Sequence, residues 1–535
     1  MRTQEVPDRG PGEDGAVPTL VVRGGRITGH GPSAGRVADV VVAGDRIVEW
    51  AGPLPAGVEV LDATGAYVSA GWIDSHTHVF GDIGVADPDT AGVLAGVTAV
   101  IDAGSSGSMT VDELFDIAEG CLTDVHAIVY LDRRGIADTG TIPTSRAEIP
   151  AVPIGELAQA IERHGERIVA VKTGIYADLG RAWTEVALAS AALLERPAYF
   201  HIGNFPTHQG SDVGLMRHFF DALRPGDVVT HCYTPQAGGV LDEHGRLLAE
   251  VTAATGRGVV FDLGHSGGGF DVEVARRALD AGLRPTTVSS DVSLVNVRRR
   301  VRNLAHVMSK VWALGFDLDE VVAMVTEAPA RHFGLGGGTL AAGAPADLAV
   351  FEASDGPVTF TDTSGNEFEG PGELRVRATV KAGRVIAADH DAVLSPRNLR
   401  FRLLEPPGAP SADDHDAAEV LDALAAALPL LPVDGEVVQA VLAHHAGRRS
   451  LGAHAAARAV RRAFADRNTG NQAGWLVAEE CARAGQQAVA DRLAAAAAAL
   501  RAGANGTPAP AAQPTPSANG GRAVAEPTEI GSAAR

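Results

Sequence analysis

Between Trp72 and Val292 eight largely apolar runs alternate with segments of helical spacing: WIDSHTHV, VTAVIDAG, HAIVYLDRRG, IVAVKTGIY, AYFHIGN, DVVTHCY, GVVFDLGH and TTVSSDV. One residue near the end of each run (His76, Ala103, Asp132, Lys172, His201, His231, Asp262 and Asp291) recurs at steps of 27, 29, 40, 29, 30, 31 and 29 residues. Runs apolar on both faces suit parallel strands covered by helices outside and filled by packed side chains within. Eight such units predict an α/β fold, a (β/α)8 TIM-type barrel over residues 71–330. The long third step holds DTGTIPTSRAEIPAVP, whose prolines and polar residues predict an excursion over the barrel mouth.

Short strand-like runs broken by glycine turns flank this region. LVVRGGRI, ADVVVAGDRIVEW and VEVLDATGAYV precede it, and ADLAVFEA and LRVRATVKAGRVIAADH follow it. They are either two unrelated β-segments or, the sharper reading, one small β-sandwich built from residues 17–70 and 331–390 around the inserted barrel. From residue 411 to 503 alanine, leucine and charged residues in helical spacing predict an all-helical extension. Residues 1–16 and 504–535 are polar or rich in Ala, Pro, Gly and Ser, too poor in large apolar residues to offset ordering entropy, and are expected to be disordered.

The 535 residues carry a net charge of −21, which opposes binding to nucleic acid and to anionic membranes. The N-terminus has no apolar stretch of the secretory kind and no run is long enough to span a bilayer, so a cytoplasmic location is expected. Cys121, Cys232 and Cys481 form no Cys-x-x-Cys pair and read as reduced structural thiols.

In this fold active sites gather where strands end, and polar residues recur there. Asp74, His76 and His78 share one face of the first barrel strand because strand side chains alternate, so two imidazoles converge on one ion. Lys172 lies in an apolar run where burial lowers the pKa of an amine, and a neutral amine can take up carbon dioxide as a carbamate that bridges two metals. His201, His231 and Asp291 end the fifth, sixth and eighth runs. Six metal-compatible side chains at one rim predict a metal centre of His76, His78, Lys172, His201, His231 and Asp291. Asp74 is expected to accept a hydrogen bond from a ligating imidazole. Asn204, Tyr233, His265 and the loop from Ser266 to Gly269 are candidate substrate contacts, the loop through its backbone N–H groups.

Those six residues resemble the signature of the amidohydrolase superfamily: His-x-His, a bridging lysine, two histidines and an aspartate, in that order. GWIDSHTHVF, VIDAGSSG, FHIGN, THCYT, FDLGH, HVMSK, VTEAPA and GTLAAGAPADLAVF resemble its deacetylase branch, related to dihydroorotases, and the likeness extends from about Thr19 to His390. The resemblance implies two divalent ions, zinc foremost, with His76 and His78 on the buried ion and His201 and His231 on the more exposed one. It further implies a carboxylated Lys172 bridging both ions and Asp291 as ligand and proton carrier. The branch has an arginine two residues after the lysine where this sequence has Gly174, and Arg133 or Arg134 would have to supply that cation.

The function so implied is metal-dependent hydrolysis of a non-peptide amide or ester, foremost deacetylation of a small N-acyl or O-acyl carboxylate. Opening of a cyclic amide or imide is the rival enzyme activity, and a noncatalytic scaffold on the same fold the rival of another class. A homo-oligomer is expected, with the helical extension a possible surface for a protein partner.

Overall fold

Glycine turns divide the N-terminal flank into β1 (Leu20–Ile27), β2 (Val37–Ala43), β3 (Arg46–Val48), β4 (Glu59–Asp62) and β5 (Tyr67–Ala70). The computed structural model describes residues 17–31, 33–136, 152–175, 180–203, 210–293, 296–297, 300–389, 412–430, scattered positions from 438 to 484, and 485–501. Most of the excursion expected over the mouth, and both termini expected to be disordered, lie outside the described residues. In Leu20–Ile27 the side chains of Leu20, Val22 and Ile27 are buried against Val42, Val68, Leu348, Val350 and Val380, one apolar face of a sheet.

That sheet is shared by both flanks. After the barrel come β13 (Leu348–Ala353), β14 (Val358–Thr361), β15 (Glu367–Gly370), β16 (Leu374–Lys381) and β17 (Arg384–Ala387). The eight-stranded sheet runs β17-β16-β13-β5-β1-β2-β3 with β4 beside β1, so β13 from one flank pairs antiparallel with β5 from the other. Phe351 of β13 stacks on Tyr67 and takes Trp72 edge-on, packing this sheet onto the start of the barrel.

The barrel strands are β6 (Trp72–Thr77), β7 (Val97–Ala103), β8 (Asp124–Tyr130), β9 (Ile168–Gly174), β10 (Ala198–His201), β11 (Val228–Thr230) and β12 (Val260–Phe261), all parallel and paired in sequence order. Every residue of β6, β7 and β9 is buried, as strands covered on both faces require. Helices α1 (Val111–Ala118), α2 (Ile154–His164), α3 (Gly180–Leu193), α4 (Gly210–Ala222), α5 (Ala249–Arg257), α6 (Val272–Asp280) and α7 (Leu304–Ala313) fall between or after the strands. Asp271 starts α6 by accepting from the amides of Glu273 and Val274, and Asn303 starts α7 by accepting from His306 N.

The eighth run departs from the simple expectation. TTVSSDV forms no continuous ladder, yet it closes the barrel: Leu263 N donates to Thr287 O on one side, and Asp291 N to His76 O and His78 N to Val292 O on the other. Two features interrupt regular pairing, the left-handed φ of 45° at Asp291 and the use of Ser290 N to bind the Asp74 carboxylate.

Beyond the sheet, α8 (Ala412–Ala427) packs on α9 (Gln486–Arg501) around Leu421, Leu424, Leu428, Val489, Leu493 and Leu500, a cluster separate from the barrel core. Among the described residues no helix is long and apolar enough to cross a membrane.

One polar clamp joins the sheet to the barrel. Lys381 Nζ, at the end of β16, donates to Asp124 at the start of β8 and to Asp347, each at 2.7 Å. Burial alone would lower the pKa of Lys381, but the two carboxylates raise it above the ordinary value. A raised lysine pKa means the clamp is fully present below the unfolded value, about 10.4, and is lost only as pH rises through the folded value. Lys381→Met should therefore lower the urea midpoint at pH 7 by the equivalent of roughly 2 kcal/mol. In the wild type this contribution should hold from pH 6 to 9 and fade above pH about 10.4, and an unchanged midpoint in the variant would remove the clamp from the account.

Candidate metal centre

Strand alternation points His76 inward from β6, and His78 follows it just past the strand end; Lys172 ends the inward series of β9 and His201 closes β10. His231 follows β11 with a left-handed φ of 65°, and Asp291 ends the eighth run with φ 45°. Left-handed backbone is uncommon outside glycine, although Asp and His adopt it more often than most, and here it turns both side chains into the barrel.

Five of the six predicted residues converge around Asp291. Its Oδ1 lies 3.1 Å from His78 Nε2 and 3.4 Å from His76 Nε2, and its Oδ2 3.6 Å from His231 Nε2. His231 Nε2 is 3.0 Å from His201 Nδ1, and Lys172 Nζ is 2.9 Å from His76 Nε2 and 2.8 Å from Ala103 O. Ligand atoms of His76, His231 and Asp291 all lie within 4.8 Å of one another, and the six side chains are buried except His201, which is half-buried.

The hydrogen bonds behind three imidazoles settle which nitrogen faces the cluster. His231 Nδ1–H donates to Gly264 O at 2.7 Å, an acceptor without alternatives, which leaves a lone pair on Nε2. Ser105 Oγ donates to Asp102 Oδ2 and accepts from His78 Nδ1–H, both at 2.8 Å. Thr230 Oγ1 and Tyr199 OH both spend their hydrogens on Asp262 and so accept from His76 Nδ1–H, each at 3.1 Å. Three Nε2 lone pairs thus meet one carboxylate, a donor set that fits a divalent cation.

The electrostatics agree. Burial lowers the pKa of His76 far below the usual imidazole value, helped by Lys172, and lowers His231 as well, so both rings are neutral. Burial would raise Asp291, but its surroundings, His78 first and then His231 and Lys172, hold it below the ordinary carboxylate value. Burial brings the Lys172 amine down to about 8.

Other expectations fare differently. Asp74 meets no ligating ring; it accepts from Ser290 N and Ser290 Oγ and pins the eighth run to β6. The Tyr233 hydroxyl donates to Leu283 O inside the core, because the left-handed turn at His231 sends the next side chains away from the mouth. His265 is fully buried with both ring nitrogens engaged, by Ser266 O and Lys310 Nζ. Ser266 stays half-buried at the rim, its hydroxyl accepting from Gly268 N. Arg133 pairs with Glu156 and Arg134 with Asp132, both guanidiniums exposed. Asn204 lies outside the described residues.

Sequence reasoning missed Ser105 and Asp102 behind His78, and Asn296. The Asn296 amide donates to Asp291 O at 2.6 Å and its oxygen accepts from Ser293 N at 3.0 Å, clamping the turn that carries Asp291. The only signal for Ser105 was its place in VIDAGSSG, and nothing in the spacing marked Asn296.

The chain is similar in sequence and fold to several known proteins. A profile described as Amidohydrolase family matches residues 271–387. A protein named deacetylase from Enterococcus faecalis is 32% identical over 331 residues, covering 60% of this chain and 87% of its own. The crystal structure of an adenine deaminase superposes with a TM-score of 0.62 at 29% identity, covering 69% of this chain and 99% of that one. That of a dihydroorotase superposes with a TM-score of 0.60 at 25% identity and the same coverage.

Removing the acceptor behind one ligand should be felt at the metal. Ser105→Ala is expected to keep the fold and weaken metal retention about tenfold or more in competition with a chelator. Wild-type retention in that variant would mean that Ser105 does not orient His78.

Proposed function

The chain belongs to the amidohydrolase superfamily, and from that premise we propose that it is a metal-dependent deacetylase acting on a small N-acyl or O-acyl carboxylate. The observation that carries this reading is the convergence of three imidazole lone pairs, each fixed by a hydrogen bond at its other nitrogen, on the ionised Asp291. His76, His78, His201, His231, Lys172 and Asp291 are proposed to hold two divalent ions, zinc in first place because neutral imidazoles and carboxylates suit it. When bound, such ions supply Lewis acidity that makes water a nucleophile near neutral pH and polarises an acyl oxygen.

The protein's own groups do the rest. Asp291 is proposed to take one proton from the attacking water and return it to the leaving nitrogen or oxygen, so that the acyl–N or acyl–O bond breaks to an amine or alcohol and acetic acid, whose own proton is released as acetate forms. Asn296 keeps its backbone in the conformation that aims the carboxylate at the cluster. Ser105, Gly264, and the pair Thr230 and Tyr199 hold His78, His231 and His76 in one tautomer each. Lys172, fully buried and against His76, is proposed to add carbon dioxide, forming an N–C bond and releasing a proton, to give a carbamate that would help hold the ions.

The name of the Enterococcus faecalis relative supports acetyl removal. The dihydroorotase likeness favours a second reading, the opening of a cyclic amide by the same centre. The deacetylase reading expects acetate release from N-acetyl or O-acetyl carboxylates in a substrate panel; ring opening without acetate would replace it with the second.

Asp291→Asn separates binding from chemistry. Metal content should stay near two ions per chain, about the wild-type value for a two-metal site. Turnover should fall by roughly 10² or more. Near-normal turnover would remove Asp291 as the proton carrier.

A further inference from the structure

Lys310, on α7, is fully buried and has no part in the chemistry described above. Its ammonium meets three acceptors at 2.8 Å: Arg300 O in the segment after the eighth run, Thr361 O in β14, and His265 Nε2 in the loop after β12. The tautomer of His265 is settled by its other nitrogen, since Ser266 O can only accept from Nδ1–H. Lys310 is therefore the donor to Nε2, and all three of its hydrogens are spent. Burial, then Arg302, lowers its pKa to about 7, against the pull of Asp362, so charge at this position is costly and depends on those acceptors.

The loop that Lys310 grips leads directly to a proposed metal ligand. His265 N donates to Ser289 O and Ser266 N to Ser290 O, tying the loop to the eighth run beside Asp291. Gly264, next to His265, supplies the carbonyl that binds His231 Nδ1–H. Gly269 closes over the same ring so tightly that a Cβ there would come within 2.4 Å of His231 Nδ1. Ser266 itself holds a left-handed φ of 48°, a conformation that needs outside support in a residue with a side chain.

We infer that Lys310 is a positioning residue: through His265 it holds the loop of residues 264–269 in the shape that fixes the orientation and tautomer of His231. The inference rests on the metal-centre reading for its consequence, and on the loop geometry alone for its cause. The grip also reaches the flanking sheet region through Thr361, so β14 steadies the mouth from outside the barrel.

The same bond can be broken from either end, with Lys310→Met or with His265→Phe, whose ring would pack on Phe270, 5.0 Å away in the wild type. Hydrogen–deuterium exchange of the metal-free protein should show the amides of residues 265–269 exchanging about tenfold faster or more in both variants, with the barrel strands as protected as in wild type. In cobalt-loaded protein both variants should shift the visible absorption bands, while the exposed control Arg276→Ala leaves them unchanged. Wild-type exchange in the loop, or exchange raised throughout the barrel in both variants, would overturn the inference. Wild type that takes up no cobalt while its variants loosen the loop would sink the metal-centre reading and leave the grip standing.

Discussion

Burying a carboxylate inside this barrel is costly unless hydrogen bonds compensate it, and Asp262 is where that constraint is met. Desolvation raises the pKa of its buried carboxylate above the ordinary value, against the hydrogen bonds it accepts from Ser289, Thr230 and Thr287, and Tyr199 donates to it as well. Those hydroxyls come from β10, β11 and the eighth run, so one carboxylate collects three elements of the barrel. Because Tyr199 and Thr230 donate to Asp262, they have only lone pairs left to offer His76. The nitrogen that His76 turns to the cluster is thus set by a residue it does not directly bond. Exchanging Asp262 for a group that donates would reverse the chain of hydrogen bonds, and the cost would appear at the cluster.

A second layer of the same logic acts on backbone conformation. His231, Ser266 and Asp291 all sit at positive φ, at the ends of neighbouring runs, where the chain must turn sharply to aim a side chain or an amide into the mouth. Such conformations persist when the surroundings hold them. Asn296 holds Asp291, Gly264 O holds the His231 ring, and the Lys310–His265 pair grips the loop that carries Ser266. Three of the five non-glycine residues at positive φ among the described residues therefore lie around the mouth, and their support comes from groups outside the proposed ligand set.

The rim outside the cluster is organised for shape as well. Tyr233 and His265, polar residues that follow strand ends, are consumed by internal bonds, and Arg133 and Arg134 are paired with carboxylates. Chain position put all four near the mouth, but burial made hydrogen bonding the stronger demand for Tyr233 and His265, while Arg133 and Arg134 stay exposed beside their carboxylates. The same holds for Asp74, which satisfies its carboxylate with Ser290 and so stitches the eighth run to β6.

Order along the chain determined the architecture of this protein and the set of side chains that meets at its rim. Parallel strands recurring at a near-constant interval put equivalent positions at one rim, so a repeat near thirty residues was enough to predict that His76, Lys172, His201, His231 and Asp291 would share it. Strands on both flanks were legible from their glycine turns, though only pairing of β5 with β13 made them one sheet. What the tertiary structure alone decided is which partner each polar group takes. Asp262 and Tyr199 are 63 residues apart, and Lys310 and His265 are 45 apart. Bonds of that kind depend on a few tenths of an ångström and on the turn each loop adopts after the barrel has closed, and neither leaves a periodic mark in the sequence.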